Sequence, residues 1–297
     1  MKVLVYGATG SQQFPVIKAL KDKNVEVYAT THSQNKMQKL VEAGAVPLLA
    51  DMSDANRLEV ISSGMDAISF VVPFSTANAG DSLQFAENII KAARHNAIKM
   101  IVWNTSAFVP PVKLGHPGID FKLDIMDLLS NSTIPYIIIE PSVYAENLII
   151  PNSNGVFKNK RVVYPVPSDM KIGWITSSDV ASFIAEAIFH PELSGNSFQV
   201  SGLDNLDGQG LAEQFSTGLG IEVGYYPLLP KEFGELLQKK MQITESSAAG
   251  IVSYFESLAA STPYPPQFSP RMIETLTKLP IKMTPLSEWV KENKNAF

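Results

Sequence analysis

Through the first half of the chain, short apolar runs alternate with stretches of helical spacing. Val3–Tyr6, Val25–Thr30, Val46–Leu49, Ala67–Val72, Met100–Trp103 and Tyr136–Glu140 read as strands. Between them, Val16–Lys23, Asn35–Ala43, Asn56–Ser63, Leu83–Asn96 and Phe121–Leu129 repeat apolar residues at helix spacing, with Asp81 a candidate cap ahead of Leu83. The strand runs lack strict apolar–polar alternation, as befits strands buried on both faces of a parallel sheet. This βαβαβ succession predicts an α/β protein with a doubly wound parallel sheet.

The pattern changes after Glu140-Pro141. Residues 151–175 are irregular and hold Pro151, Pro165 and Pro167. Ser178-Asp179 then caps a predicted helix to about Phe189, and Ser197–Ser201 reads as one more strand. Beyond Leu203 come amphipathic helices, a short strand candidate at Val223–Leu228 and a proline-rich connector from Ser261 to Pro270. We therefore expect a nucleotide-binding domain from 1–150 with 176–202. A small substrate-side lobe, from 151–175 with 203–297, is expected over the carboxyl ends of the strands, the edge where such folds take ligands.

The first strand ends in Gly7-Ala8-Thr9-Gly10-Ser11-Gln12, ahead of a helix. Strand, tight glycine turn and helix are how a dinucleotide-binding unit opens, because backbone N–H groups then approach a pyrophosphate at a helix N-terminus. Gln13 stands where a third glycine would allow close packing, followed by Phe14 and Pro15. Glutamine there is expected to loosen helix–strand contact or push the pyrophosphate outward. Proline suits a first helical turn. After the second strand come Thr31, His32, Ser33 and Lys36, with no acid to hold ribose hydroxyls. A hydroxyl, an imidazole and an ammonium suit a 2′-phosphate, so NADP(H) is expected over NAD(H). Against this, Lys36 also reads as an ordinary solvated helix start.

The other strand ends supply the remaining candidates. Asp51 and Met52 follow the third strand, where Asp51 faces an adenine or, equally, Asp51 or Ser53 caps the next helix. Val72 and Pro73 end the fourth strand. Asn104, Thr105 and Ser106 end the fifth, where their hydroxyls reach a ribose or substrate, or merely close a turn. Pro141 and Tyr144 follow the sixth.

Composition narrows the partners. Apolar content of 45% and net charge of −5, with no basic block, give no electrostatic footprint for nucleic acid. The absence of cysteine excludes disulfides, thiol catalysis and cysteine-ligated metals. The four histidines have no metal-ligand spacing, no apolar run approaches the roughly 20 residues of a membrane span, and the first strand begins at once. No metal, no membrane, a cytoplasmic location and a small-molecule substrate are expected. Gly218-Leu219-Gly220 follows a helix and reads as helix termination.

Together, Gly7 to Gln12, Thr31 to Lys36, Val41 to Ala45, Ala50-Asp51, Ile134 to Pro141 with Asn147, and Trp174-Ile175 with Ser178 to Ala181 resemble the NmrA-like proteins. These are a branch of the atypical short-chain dehydrogenase/reductases. The resemblance implies a Rossmann-type domain with a small substrate-side lobe, binding NAD(P)H, as monomer or homodimer. It also implies that His32 occupies the place of an arginine that contacts the NADP phosphate. Lys122 matches the superfamily's lysine, while Gly118 stands where a tyrosine is usual.

Lys122 is thus the candidate catalytic residue, with the surface-lysine reading beside it. His116, Asp120 and Tyr144 are surrogate proton donors, and Pro73, Phe74, Trp103, Phe108, Tyr144 and Trp174 are expected to line the substrate crevice. Two functions follow. One is an NADPH-dependent reductase of a small carbonyl, quinone or enone; the other is a non-catalytic NADP(H) sensor.

Overall fold

Strands rich in Val, Ile and Leu, covered by helices on both faces, build the larger unit of this computed structural model. It describes residues 1–73, 79–113, 115, 117–153 and 155–297, the side chains of 79, 117 and 118 aside. The strands are β1 (Lys2–Val5), β2 (Glu26–Thr31), β3 (Val46–Leu49), β4 (Ala67–Phe70), β5 (Met100–Asn104) and β6 (Tyr136–Pro141). With Ser197–Val200 they form a seven-stranded parallel sheet in the order Ser197–Val200, β6, β5, β4, β1, β2, β3. β1 pairs on one side with β2 (Val3 beside Val27) and on the other with β4 (Val3 beside Ala67). The strand order therefore reverses at β1, which makes its carboxyl end the switch point where such sheets take ligands.

The helices are α1 (Phe14–Asp22), α2 (Met37–Glu42), α3 (Ala55–Ser62), α4 (Ala79–His95) and α5 (Pro117–Ser130). One face of the sheet packs Leu4, Ile68, Phe70 and Trp103 against Leu58, Ile61, Ile89 and Ile125 of α3, α4 and α5. The Phe70 and Trp103 rings stack with centroids 6.1 Å apart. On the other face α1 packs beside the helix Ser177–Ala187, each with a buried apolar stripe. Lys23 reaches across to Glu186 at 2.5 Å.

Two compact units divide the chain. The first holds residues 1–141, 177–199 and 273–281; the second holds 142–176, 200–272 and 282–297. Residues 273–281 are tied into the first unit by the Thr275 hydroxyl, which donates to the Gln199 carbonyl at 3.3 Å. Taken by itself, the second unit has two short parallel strand pairs, Val143–Tyr144 with Trp174–Ile175 and Arg161–Tyr164 with Gly224–Pro227. Its centre is aromatic. Tyr164 meets Trp174 edge-on at 4.8 Å and lies within 6 Å of Phe233 and Phe255.

Three expected details differ. Asp54, not Asp51 or Ser53, caps α3, accepting the Arg57 N–H at 3.0 Å. Asp81 sits inside the first turn of α4 rather than ahead of it. Helix α5 begins at Pro117, four residues before the apolar pattern starts, so Lys122 stands in its second turn.

Candidate dinucleotide site

The turn after β1 forms because two glycines let it. Gly7 has φ +69°, a left-handed conformation that costs other residues about 1–2 kcal/mol. A Cβ there would also touch Val71 and Met52 at 3.4–3.5 Å. Gly7 N–H donates to Thr30 Oγ1 at 3.3 Å, Gly10 N–H to the Gly7 carbonyl at 3.0 Å and Phe14 N–H to the Gly10 carbonyl at 2.9 Å. Helix α1 then starts with Pro15 in its first turn and no side-chain cap from Gln13. The N–H groups of Thr9, Ser11 and Gln12 find no acceptor among the described residues. Unsatisfied donors just ahead of a helix, beside glycine that admits close approach, fit a pyrophosphate.

Gln13 turns inward. It is fully buried, its Oε1 accepts from Ser69 Oγ on β4 at 3.3 Å, and its Nε2 has no partner among the described residues. Gln12 Nε2 donates to Ser106 Oγ at 2.8 Å, and its Oε1 is likewise unpartnered. Each orphaned buried amide atom costs about 1–3 kcal/mol. The glycine-position glutamine is thus absorbed beneath the turn, against the sheet. Phe14, half-buried, carries the Lys39 ammonium 4.1 Å from its ring centroid.

At the end of β2, Thr31 Oγ1 accepts the Ser33 N–H at 3.2 Å, and Ser33 Oγ bonds Asn35 Oδ1. His32 and Lys36 are exposed, Lys36 closing a short 3-10 turn. After β3, Asp51 Oδ1 accepts the Ser53 N–H at 2.8 Å and its hydroxyl at 2.7 Å. Those two bonds, with a smaller contribution from His32, hold the Asp51 carboxyl below the usual range. Asn88 of α4 donates to the Met52 carbonyl at 3.0 Å. Val72 is buried, and the Pro73 carbonyl accepts from Ser82 Oγ at 2.9 Å.

The hydroxyl groups after β5 close their own turn. Asn104 Oδ1 accepts the Ser106 N–H at 2.9 Å, and Thr105 Oγ1 donates to the Ala107 carbonyl at 2.5 Å. Lys122 is only 3% exposed, with Nζ 3.4 Å from the carbonyls of Ala107 and Phe108. Burial pushes this ammonium down to about 8, against the opposing pull of Glu140. Glu140 accepts the Val109 N–H at 2.9 Å and the Ser197 hydroxyl. Lys122 and Glu140 therefore grip residues 107–109 from their carbonyl and amide sides.

The remaining candidates fall in several parts of the chain. Trp103 is fully enclosed on β5 against Phe70, so its ring packs core rather than lining an open crevice. Asp120 is buried and accepts the Gly115 N–H at 2.8 Å. Pro141 ends β6, while Tyr144 and Trp174 are buried in the second unit. Gly118 lies in α5, and Phe74 and His116 fall outside the described residues. The Lys39 contact with Phe14 and the hold of Glu140 on residues 107–109 were not expected from the sequence. Spacing of three from Lys36 was the one signal for Lys39; Glu140 read simply as a strand residue. Among the described residues, no cluster of three or more His, Asp or Glu is arranged to hold a metal ion, and no helix is long and apolar enough to cross a membrane.

The NmrA-like family model matches residues 1–290. A curated relative, NAD(P)H azoreductase of Xenophilus azovorans, is 22% identical over 284 residues, covering 93% of this chain and 92% of its own. Triphenylmethane reductase from Citrobacter sp. superposes with a TM-score of 0.80 at 19% identity, covering 98% of this chain and 99% of that one. An NADPH-dependent quinone oxidoreductase from Escherichia coli gives 0.76 at 22% identity, covering 99% and 100%. At these identities the structural likeness bears on fold alone.

Proposed function

The chain belongs to the NmrA-like family, and from that membership we propose that it binds NADP(H) in preference to NAD(H) and reduces a small carbonyl, quinone or enone. The observation that carries the reading is the set of acceptorless N–H groups at Thr9, Ser11 and Gln12 ahead of α1. Gly7 and Gly10 would admit the pyrophosphate, and His32, Ser33 and Lys36 would take the 2′-phosphate. Bound there, the reduced dinucleotide supplies a hydride. The relatives named for azo, triphenylmethane and quinone reduction support a conjugated acceptor.

The chain's own contribution is positioning and a proton. Gln12 bonded to Ser106 ties the turn to the end of β5. Lys122, buried and titrating near 8, holds its proton at neutral pH and gives it up more readily than a solvated lysine. A cytoplasmic monomer or homodimer is part of the same proposal.

One observation favours a second reading, a non-catalytic NADP(H) sensor. Gly118 offers no hydroxyl one helical turn before Lys122, whose Nζ lies beside loop carbonyls. Both readings are separated by incubating the protein with NADPH and a quinone panel and following reduced-nicotinamide absorbance. Turnover that falls as pH rises through about 8, and vanishes in Lys122→Met, is expected for the reductase. Tight NADPH binding with no acceptor oxidising it establishes the sensor instead.

A further inference from the structure

We propose that Lys39, mounted on the ring of Phe14, is a further phosphate-binding cation of this site and sets the preference for NADP(H) over NAD(H). The inference rests on the reading that a dinucleotide occupies the turn after β1. Lys39 Nζ stands 4.1 Å from the Phe14 centroid, within cation–π range. Phe14 is the first residue of α1, and its own N–H is bonded to Gly10. The ammonium is therefore held at the same helix start whose preceding N–H groups lack acceptors. The pyrophosphate is common to both dinucleotides, so the cation bears on preference through its own segment: Lys39 lies on α2, directly after the β2 end where His32, Ser33 and Lys36 would take the 2′-phosphate that NADPH alone carries.

The aromatic mount matters because a lysine stem is flexible. A ring beneath it narrows where the ammonium goes without neutralising it, as a carboxylate would. No ion pair engages Lys36 or Lys39 among the described residues. The nearby acids are otherwise engaged: Glu42 accepts from the Gln38 amide, and Asp51 from Ser53. Lys36 and Lys39 are three residues apart on consecutive turns, the spacing that puts side chains on one helix face. His32, at the end of β2, is an imidazole rather than a permanent cation. NADPH and NADH differ by one phosphate, so that difference in charge falls on Lys36 and Lys39.

The test is a pair of titrations, NADPH and NADH, on the full chain and three variants, read by nicotinamide fluorescence. Lys39→Met keeps the stem over the ring and removes only the charge. It is expected to weaken NADPH about tenfold and NADH by less than about twofold. Phe14→Leu should weaken NADPH about threefold by freeing the ammonium, and Lys39→Arg should retain the preference. If Lys39→Met weakens both dinucleotides alike, or neither, the inference is overturned and the cofactor reading stands. If the unaltered chain binds neither dinucleotide, the cofactor reading falls and takes the inference with it.

Discussion

On the proposed reading, Lys122 carries both a cost and a use. An ammonium that is 3% exposed and pushed down to about 8 is disfavoured in the folded chain while charged. Between about pH 8 and 10.5, the unfolded chain holds a proton that the folded chain has released, so stability rises with pH through that window. Full release corresponds to about 3 kcal/mol. We expect Lys122→Met to be the more stable protein at pH 7, with its advantage shrinking as pH climbs from 8 to 10.5. Urea melts of the two proteins across that range check it, and a pH-independent difference would refute it. Residue by residue, the sequence was most legible where backbone geometry demanded a type. Gly7 at φ +69° admits little else. It was least legible where a common residue does an uncommon thing: Lys39 reads as a solvated helix lysine until its ring partner, 25 positions earlier, is known.

At the scale of elements, apolar runs located every strand of the large sheet to within two residues, most directly the central β1, β4 and β5, whose residues are almost all buried. Helix starts were harder. α5 extends back to Pro117 through a segment without apolar periodicity, and α3 is capped by Asp54 although Asp51 and Ser53 offered the same chemistry. Choosing among capping side chains a few residues apart takes backbone angles, not composition. The glycine pair at the end of the second unit's helix Gly208–Leu219, Gly218 inside its last turn and Gly220 just beyond it, separates two roles that one motif concealed. Gly220 ends the helix with φ +69° and its N–H on the Ser216 carbonyl at 2.9 Å. Gly218 instead allows close approach of the helix Leu286–Glu292: a Cβ would stand 2.6 Å from the Ser287 carbonyl oxygen and 2.8 Å from Val290. The backbone atom cannot rotate away. Gly218→Ala should therefore destabilise by about 1–3 kcal/mol despite alanine's better helix propensity. Gly220→Ala should cost about 1–2 kcal/mol through the left-handed angle alone. Denaturant midpoints measure both, and an alanine at 218 that stabilises would show that the two helices can part without loss.

For the molecule as a whole, the doubly wound order was legible from alternation, and the return of residues 273–281 to the first unit was not. Its contacts include the Thr275 hydroxyl on the Gln199 carbonyl and Lys278 over the Phe198 ring, single pairings that leave no periodic trace in sequence. The site has a global consequence through linkage. Net charge of −5 opposes an anionic dinucleotide, so on the proposed reading attraction would come locally from the turn's N–H groups and from His32, Lys36 and Lys39. A ligand held by these groups binds the folded chain and not the unfolded one, because the donors converge only when β1, β2 and α1 are assembled. Stability should then rise with the logarithm of NADPH concentration, reaching about 2.7 kcal/mol at a hundred times its dissociation constant. For a chain of this size, that is roughly 4 °C in melting temperature. NADH at equal concentration should give a smaller shift, and added salt should narrow the gap between the two, since the extra phosphate is read by exposed charges. Hydrogen exchange locates the effect: amides of Thr9, Ser11 and Gln12, acceptorless in the free protein, should gain protection with NADPH. A melting shift without protection at those three amides would place the dinucleotide somewhere other than the turn after β1.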